Sequence, residues 1–134
     1  MAEIFRVVLP VSNIDVAETF YADLLGQPGI RVSGGRHYFR CGPVILACYD
    51  PWADGDDPAG GWKLHPHQVL SLAVDDLDAT LTRIRSLPGA HIDSEIETRP
   101  WGERSFYARD PFGNPLCFVD RQTLFTGEST EEGS

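Results

Sequence analysis

Apolar residues dominate Phe5 to Val11, FRVVLPV, a β-branched run that reads as a buried strand with Pro10 near its end. The period then changes. Ser12 or Asn13 can cap a helix from about Asp15 to Leu25, in which Val16, Phe20, Tyr21, Leu24 and Leu25 make one apolar stripe and Gly26 is the stop. Three short strands follow, around Ile30 to Ser33, Arg36 to Cys41 and Pro43 to Tyr49, with Gly34-Gly35 and Gly42-Pro43 as turns. The stretch DPWADGDDPAGGWKLHP, from Asp50 to Pro66, has little periodicity and reads as a loop.

Beyond the loop the same signals return. Gln68 to Val74 reads as a strand, Asp75 or Asp76 as a cap, and Leu77, Leu81, Ile84 and Leu87 as the apolar face of a second helix ending at Pro88-Gly89. Strands are expected around His91 to Glu97, Gly102 to Ala108 and Leu116 to Asp120, the last two forming a hairpin around Asp110-Pro111-Phe112-Gly113-Asn114-Pro115. Val11 to Ala17 aligns with Val74 to Thr80, and the same offset carries Gly26 onto Gly89. Each half is therefore β-α-β-β-β, an α+β pattern in which one helix covers only one face of a sheet.

The other face draws attention in both halves. Val7, Leu9 and Val11 alternate with Arg6, Val8 and Pro10, and Leu70, Leu72 and Val74 with Val69, Ser71 and Ala73. A face of Ser71, Ala73 and Val8 leaves room for a cavity, although bulky residues opposite the small ones would explain it equally.

The formal net charge of -9 narrows the partners. Much of it sits in Asp50, Asp54, Asp56 and Asp57 of the loop and in Glu128, Glu131 and Glu132 near the end, so the body is only mildly acidic. Nucleic acid is disfavoured by sign, and no apolar run reaches the length of a membrane span. Cys41, Cys48 and Cys117 are odd in number and lie in expected strands, so reduced thiols and a cytoplasmic location are expected.

These features together resemble the vicinal oxygen chelate superfamily of glyoxalases, extradiol dioxygenases and bleomycin-resistance proteins. The residues that carry the resemblance are Val11 to Gly26, with Phe20-Tyr21 and Leu24-Leu25-Gly26, and Pro100-Trp101-Gly102-Glu103-Arg104 followed by Arg109-Asp110-Pro111-Phe112-Gly113-Asn114. The second segment looks most like bleomycin-resistance-type members. The resemblance implies two tandem βαβββ modules forming open-faced curved mixed sheets around a concave pocket. On this reading residues 1–121 are a single domain, with module one at 4–50, a loop at 51–66 and module two at 67–121, and residues 122–134 are an acidic tail of disordered composition.

In the metal-dependent members, ligands come from the first strand of each half and from the last strand. Here those positions hold Arg6, Val69 and Cys117, which do not make a divalent site, so the resemblance implies no metal and no cofactor. His65 and His67 form an H-x-H pair that Glu103 or Cys48 could complete, or they are solvated loop-end histidines. Trp52, Trp62 and Trp101 are candidates to stack on a planar or cationic ligand, or hydrophobic plugs; Phe39, Tyr49 and Phe106 are candidates for the wall. Arg6 is expected to need a partner such as Glu103 or a ligand carboxylate. Cys117 is either ligand-facing or a small buried hydrophobe. The implied function is metal-independent sequestration of an antibiotic-like, aromatic or cationic small molecule by a homodimer, and the alternative is a metal-dependent lyase, isomerase or dioxygenase.

Overall fold

Two compact units emerge from the chain in a computed structural model that describes residues 1–58, 62, 64 and 66–127. The first comprises Met1–Gln68 with Pro111–Asn114, and the second Val69–Asp110 with Pro115 onward.

The first unit runs β1 (Arg6–Pro10), α1 (Ile14–Leu25), β2 (Ile30–Ser33), β3 (Arg36–Cys41) and β4 (Val44–Tyr49). Its strand order is β1-β4-β3-β2, with β1 parallel to β4 and the other pairs antiparallel. Asn13, not Ser12, caps α1 by accepting from the Val16 amide at 3.1 Å, and Gly26, at φ 67°, ends it in the left-handed conformation that suits glycine. The buried stripe is Ile14, Ala17, Phe20 and Tyr21, whereas Val16 is 42% exposed. The stripe is thus rotated from the expected one: positions 14, 17 and 21 follow helical spacing on the sheet side and leave Val16 at its edge.

Two contacts explain buried polar groups in this unit. His37 offers Nδ1 to Arg31 Nε at 3.3 Å and places Nε2 2.8 Å from the Pro28 carbonyl, which assigns its proton to Nε2. Asn114 Nδ2 donates to the Pro10 carbonyl at 2.7 Å, so the Phe112-Gly113-Asn114 stretch is more than turn chemistry.

The second unit repeats the plan with β5 (Leu70–Val74), α2 (Leu77–Ser86), β6 (His91–Ile92), β7 (Glu97–Thr98), β8 (Arg104–Arg109) and β9 (Pro115–Asp120). The order is β5-β9-β8-β6, β5 is parallel to β9, and β7 also pairs with β8. Asp76 caps α2 by accepting from the Ala79 amide at 3.0 Å. The strand expected from His91 to Glu97 is two short pieces. Between them Asp93 and Ser94 both donate their amides to the Tyr107 carbonyl, and the Ser94 hydroxyl accepts from the Tyr107 amide at 2.9 Å, so a side chain stands in for a ladder acceptor.

The pleat of β8 and β9 sorts their residues. Phe106, Ala108, Leu116 and Phe118 are buried in the core with Leu77 and Ile84 of α2, and the Phe106 and Phe118 rings stack at 5.1 Å. Ser105, Tyr107, Cys117 and Val119 take the opposite face. Each unit is therefore α+β, a mixed sheet with one helix, and neither sheet closes into a barrel.

Replacing Phe106 by Ala is expected to destabilise the protein by about 3–5 kcal/mol in urea unfolding, because the ring is fully buried against Phe118. Gly35→Ala is expected to cost about 1–3 kcal/mol in the same measurement, since a Cβ there runs into the carbonyl of Asp50, whose amide donates to the Gly35 carbonyl at the β3–β4 end of the first sheet.

Candidate functional site

A cavity of about 430 Å³ opens on the helix-free face of the second unit's sheet. Its floor is made by the pleat: Ser105 and Tyr107 from β8 and Cys117 and Val119 from β9, flanked by Ser71 and Ala73 from β5. The small residues of β5 supply the room that the alternation of Ser71 and Ala73 suggested. Val69, just ahead of β5, is half-exposed at the side of the cavity.

The remaining wall comes from a tight turn. Arg99 and Glu103 close it with an amide-to-carbonyl bond at 2.7 Å, Gly102 donates back to the Arg99 carbonyl at 2.8 Å, and Gly102 needs its freedom at φ 96°. This turn presents Trp101 and Glu103 together. The Trp101 indole donates Nε1–H to Glu103 Oε1 at 2.8 Å, and the amide of Phe125 donates to Glu103 Oε2 at 2.8 Å. Trp101, Leu124 and Phe125 line the cavity while remaining 49%, 46% and 47% exposed, which places them at its mouth.

Residues 122–127, expected within a loose tail, are placed by specific bonds. Asp120 accepts from the Gln122 amide at 3.0 Å, and the Thr123 hydroxyl accepts from the Arg104 amide at 3.0 Å while donating to the Asp120 carbonyl at 2.9 Å. Arg121 reaches Asp75 at 2.7 Å and the Ala73 carbonyl at 3.2 Å. These bonds turn the chain back so that Leu124 and Phe125 meet the cavity. Residues 128–134 lie outside the described residues.

Beneath the mouth, Arg99 crosses the Tyr107 ring at 4.9 Å and donates to the Ser105 hydroxyl at 2.8 Å and to the Ser105 carbonyl at 3.2 Å. Burial, with a smaller contribution from the Glu103 charge, pushes the Cys117 thiol up from its ordinary range, partly offset by the Ser105 hydroxyl, the Arg99 charge and the Tyr107 hydroxyl. Cys117 therefore faces the cavity as a thiol, a soft apolar surface with a weak donor rather than an anion.

Of the residues expected from the sequence to hold a ligand, the cavity brings together Trp101, Glu103 and Cys117. Phe106 is a correction: the pleat turns it away from the cavity into the α2 core, and Ser105 and Tyr107 take the place assigned to it. Phe39 is a second, being fully buried beside Tyr21 and His37 in the core of the first unit. Arg6 is exposed there, donates to the Tyr38 hydroxyl at 3.5 Å and has its guanidinium 5.0 Å from the Phe5 ring and 5.6 Å from the Tyr38 ring, so its partners within the first unit are aromatic.

Tyr49, Trp52 and Trp62 also belong to the first unit. Trp62 donates to the Tyr49 carbonyl at 2.7 Å and meets its ring edge-on, Arg36 lies over the same ring at 4.1 Å, and the Tyr49 hydroxyl donates to Asp56. That bond to Asp56 is the largest cause of the upward shift of the Tyr49 hydroxyl. Trp52 is exposed on a 3-10 turn, Trp52–Asp54. Asp54 and Asp56 of the acidic loop are thus engaged by groups of the first unit's strands and turns. Asp54 accepts from the Ser33 hydroxyl at 2.8 Å and the Gly35 amide at 2.6 Å and pairs with Arg36, and these partners hold its carboxyl below the ordinary range, the Ser33 bond contributing most.

The donor set at the three expected metal-ligand positions is poor. Val69 has no side-chain donor, the arginine at position 6 stays protonated and cannot ligate, and Cys117 offers a single sulfur, so these three do not fit a divalent ion. His65 lies outside the described residues, and among the described residues no three His, Cys, Asp or Glu side chains converge on a metal-sized site. Sequence reasoning missed Arg99, Ser105, Tyr107, Leu124 and Phe125. Period two along β8 carried the signal for Ser105 and Tyr107; the polar composition after Arg121 concealed Leu124 and Phe125.

Tandem βαβββ units, each a mixed sheet with one helix and an open face, define a class of α+β proteins. The profile of the Glyoxalase/Bleomycin resistance protein/Dioxygenase superfamily matches residues 3–118, and the chain belongs to that superfamily. It is 29% identical over 127 residues to the protein YwbC of Bacillus subtilis (strain 168), spanning 83% of this chain and 91% of that one. Among solved structures it is similar to a glyoxalase/bleomycin resistance protein from Albidiferax ferrireducens T118, with TM-score 0.72, 23% identity and coverage of 88% of this chain and 98% of that one. A lactoylglutathione lyase from Agrobacterium tumefaciens gives TM-score 0.68 and 25% identity over 93% of this chain and 98% of its own. Among the described residues no helix is long and apolar enough to cross a membrane.

The lowered Asp54 carboxyl makes a pH prediction. Its contribution to stability is present above the ordinary carboxylate value of 3.8 and is lost as pH falls through the lower folded value. Asp54→Asn is expected to be less stable than the parent at pH 7, with the gap narrowing in urea unfolding at pH 3 and below.

Proposed function

We propose that this chain binds an aromatic or cationic small molecule in the cavity of its second unit without a metal, sequestering it in the manner of the bleomycin-resistance members of its superfamily. The observation that carries the reading is the joint setting of Trp101, Phe125 and Glu103 at the mouth of a cavity whose expected metal-ligand positions hold valine and a thiol. Two half-exposed rings offer stacking surface, and the neighbouring carboxylate favours a ligand with positive charge. Both Glu103 oxygens accept neutral N–H donors, and among the described residues no cation pairs with it, so its charge is open to a ligand.

The reading includes a homodimer in the cytoplasm that acts apart from nucleic acid and membranes, and an antibiotic-like ligand. The net charge of -9 supports the first exclusion. A second reading, a metal-dependent lyase, isomerase or dioxygenase, draws on the similarity to a lactoylglutathione lyase. It requires donors other than Val69 and Cys117.

Two measurements separate the readings. Titration with a bleomycin-type drug or with benzyltrimethylammonium is expected to quench tryptophan fluorescence, with affinity unchanged by EDTA and weakened about tenfold or more by Trp101→Ala. Equimolar zinc, manganese or nickel is expected to leave the melting temperature unchanged and to be lost on dialysis. Retained metal together with turnover of a hemithioacetal or a catechol would establish the second reading instead.

A further inference from the structure

Glu103 makes its two bonds to different parts of the chain. Oε1 holds the indole of Trp101, which belongs to the turn entering β8, and Oε2 holds the amide of Phe125, which comes after the last strand. All three residues, with Leu124, line the mouth of the cavity. The parts differ in how firmly they are built. Trp101 stands on a turn closed by two backbone bonds, whereas Leu124 and Phe125 follow a single 3-10 turn, Arg121–Thr123, anchored at its end through the Thr123 hydroxyl. Beyond Thr123 the bond from the Phe125 amide to Glu103 is what fixes the segment against the cavity.

We infer that residues 122–127 form a strap that opens and closes the cavity, and that Glu103 is its latch: a positioning residue that ties a movable jaw, Leu124 and Phe125, to a fixed jaw, Trp101. This rests on the reading of the cavity as the ligand site and adds to it how a ligand enters and is retained. A cation at the mouth competes with the Phe125 amide for the same carboxylate, so ligand pairing and strap release are coupled through one side chain. Opening requires loss of one hydrogen bond to an ionised acceptor and exposure of part of two apolar side chains that are already about half-exposed. The motion therefore leaves the Phe106–Phe118 core intact.

Cys117 offers a native reporter that needs no ligand. It is 6% exposed on the floor of the cavity, while Cys48 is fully buried in the first unit and serves as a control for global unfolding. In the full-length protein, labelling by N-ethylmaleimide is followed at each cysteine by peptide mass spectrometry. Two variants release the latch from opposite ends. Glu103→Ala removes the acceptor; Phe125→Pro removes the amide hydrogen and suits the extended backbone of Leu124, at φ -58° and ψ 134°, that precedes it. Because the Glu103 charge also acts on the Cys117 thiol, rates are compared per thiolate, from the pH dependence of labelling in each variant. Loss of a hydrogen bond to an ionised group corresponds to roughly tenfold in an opening equilibrium, so both variants are expected to label Cys117 about tenfold faster on that scale. Cys48 labelling and the melting temperature are expected to stay within error of the parent, and the double variant to be no faster than either single one. Equal Cys117 rates in parent and variants overturn the strap, and so does parallel acceleration at Cys48. The outcome is independent of the fluorescence titration: a strap can be present where no ligand is found, and a ligand can bind where Cys117 access does not change.

Discussion

One helix can cover only one face of a sheet, and the character of this chain follows from the residues that fall on the uncovered face. In the second unit the partition is enforced by Phe106 and Phe118, stacked and fully buried beneath α2. Side chains on a strand alternate, so fixing these two rings fixes Ser105, Tyr107, Cys117 and Val119 on the other side. A slip of one residue in β8 would put a serine and a tyrosine hydroxyl into the core and a phenylalanine into the cavity. The same packing that stabilises the unit therefore defines the chemistry of its open face, and a substitution in the core acts on the site through register as well as stability.

Carboxylates in each unit have partners before any ligand arrives, but not all to the same end. In the acidic loop of the first unit, Asp54 takes the Ser33 hydroxyl, the Gly35 amide and Arg36, while Asp56 takes the Tyr49 hydroxyl. These carboxylates are ties, and their number in the sequence overstates the charge free to act on a partner. Glu103 differs because its partners among the described residues are neutral N–H groups, which do not neutralise its charge. A carboxylate held in place by neutral donors keeps a fixed geometry while remaining electrostatically available, a combination that a solvated side chain lacks.

Most of the fold was legible because it depends on local signals that the chain repeats. Asn13 and Asp76, Gly26, and the alternation in β1 and β5 mark the same element order twice. The departures have local physical causes. Ser94 replaced a ladder acceptor and split the strand after α2, and the α1 stripe settled around Ala17 and Tyr21, leaving Val16 outside. The site was less legible, because the type of a residue suggests chemistry while its parity decides where that chemistry points. Phe39 and Phe106 looked like pocket walls by type and are core by parity; Ser105 and Tyr107 were passed over beside them. Phe125 lies in a stretch of polar composition, and what places it is a single bond to a residue on a distant turn, which no local pattern encodes.

The open face also constrains how discrimination among ligands can arise on the proposed reading. A bound metal selects by direct coordination and polarises what it holds, so affinity and chemistry come from the same contact. Here the side chain at Val69 has no donor and burial keeps Cys117 protonated, which leaves stacking on Trp101 and Phe125, the Glu103 charge, and the hydroxyls of Ser105 and Tyr107 beneath them. Stacking and a point charge tolerate a range of ligands and set no strict orientation. Orientation has to come from the hydroxyl-bearing floor, where Arg99 already occupies the Ser105 hydroxyl and one face of the Tyr107 ring. A ligand that reached the floor would hydrogen-bond to groups already held in place, losing little entropy in ordering them. Selectivity on this face is therefore governed more by how far a molecule penetrates past the Trp101–Phe125 mouth than by the strength of any single contact there.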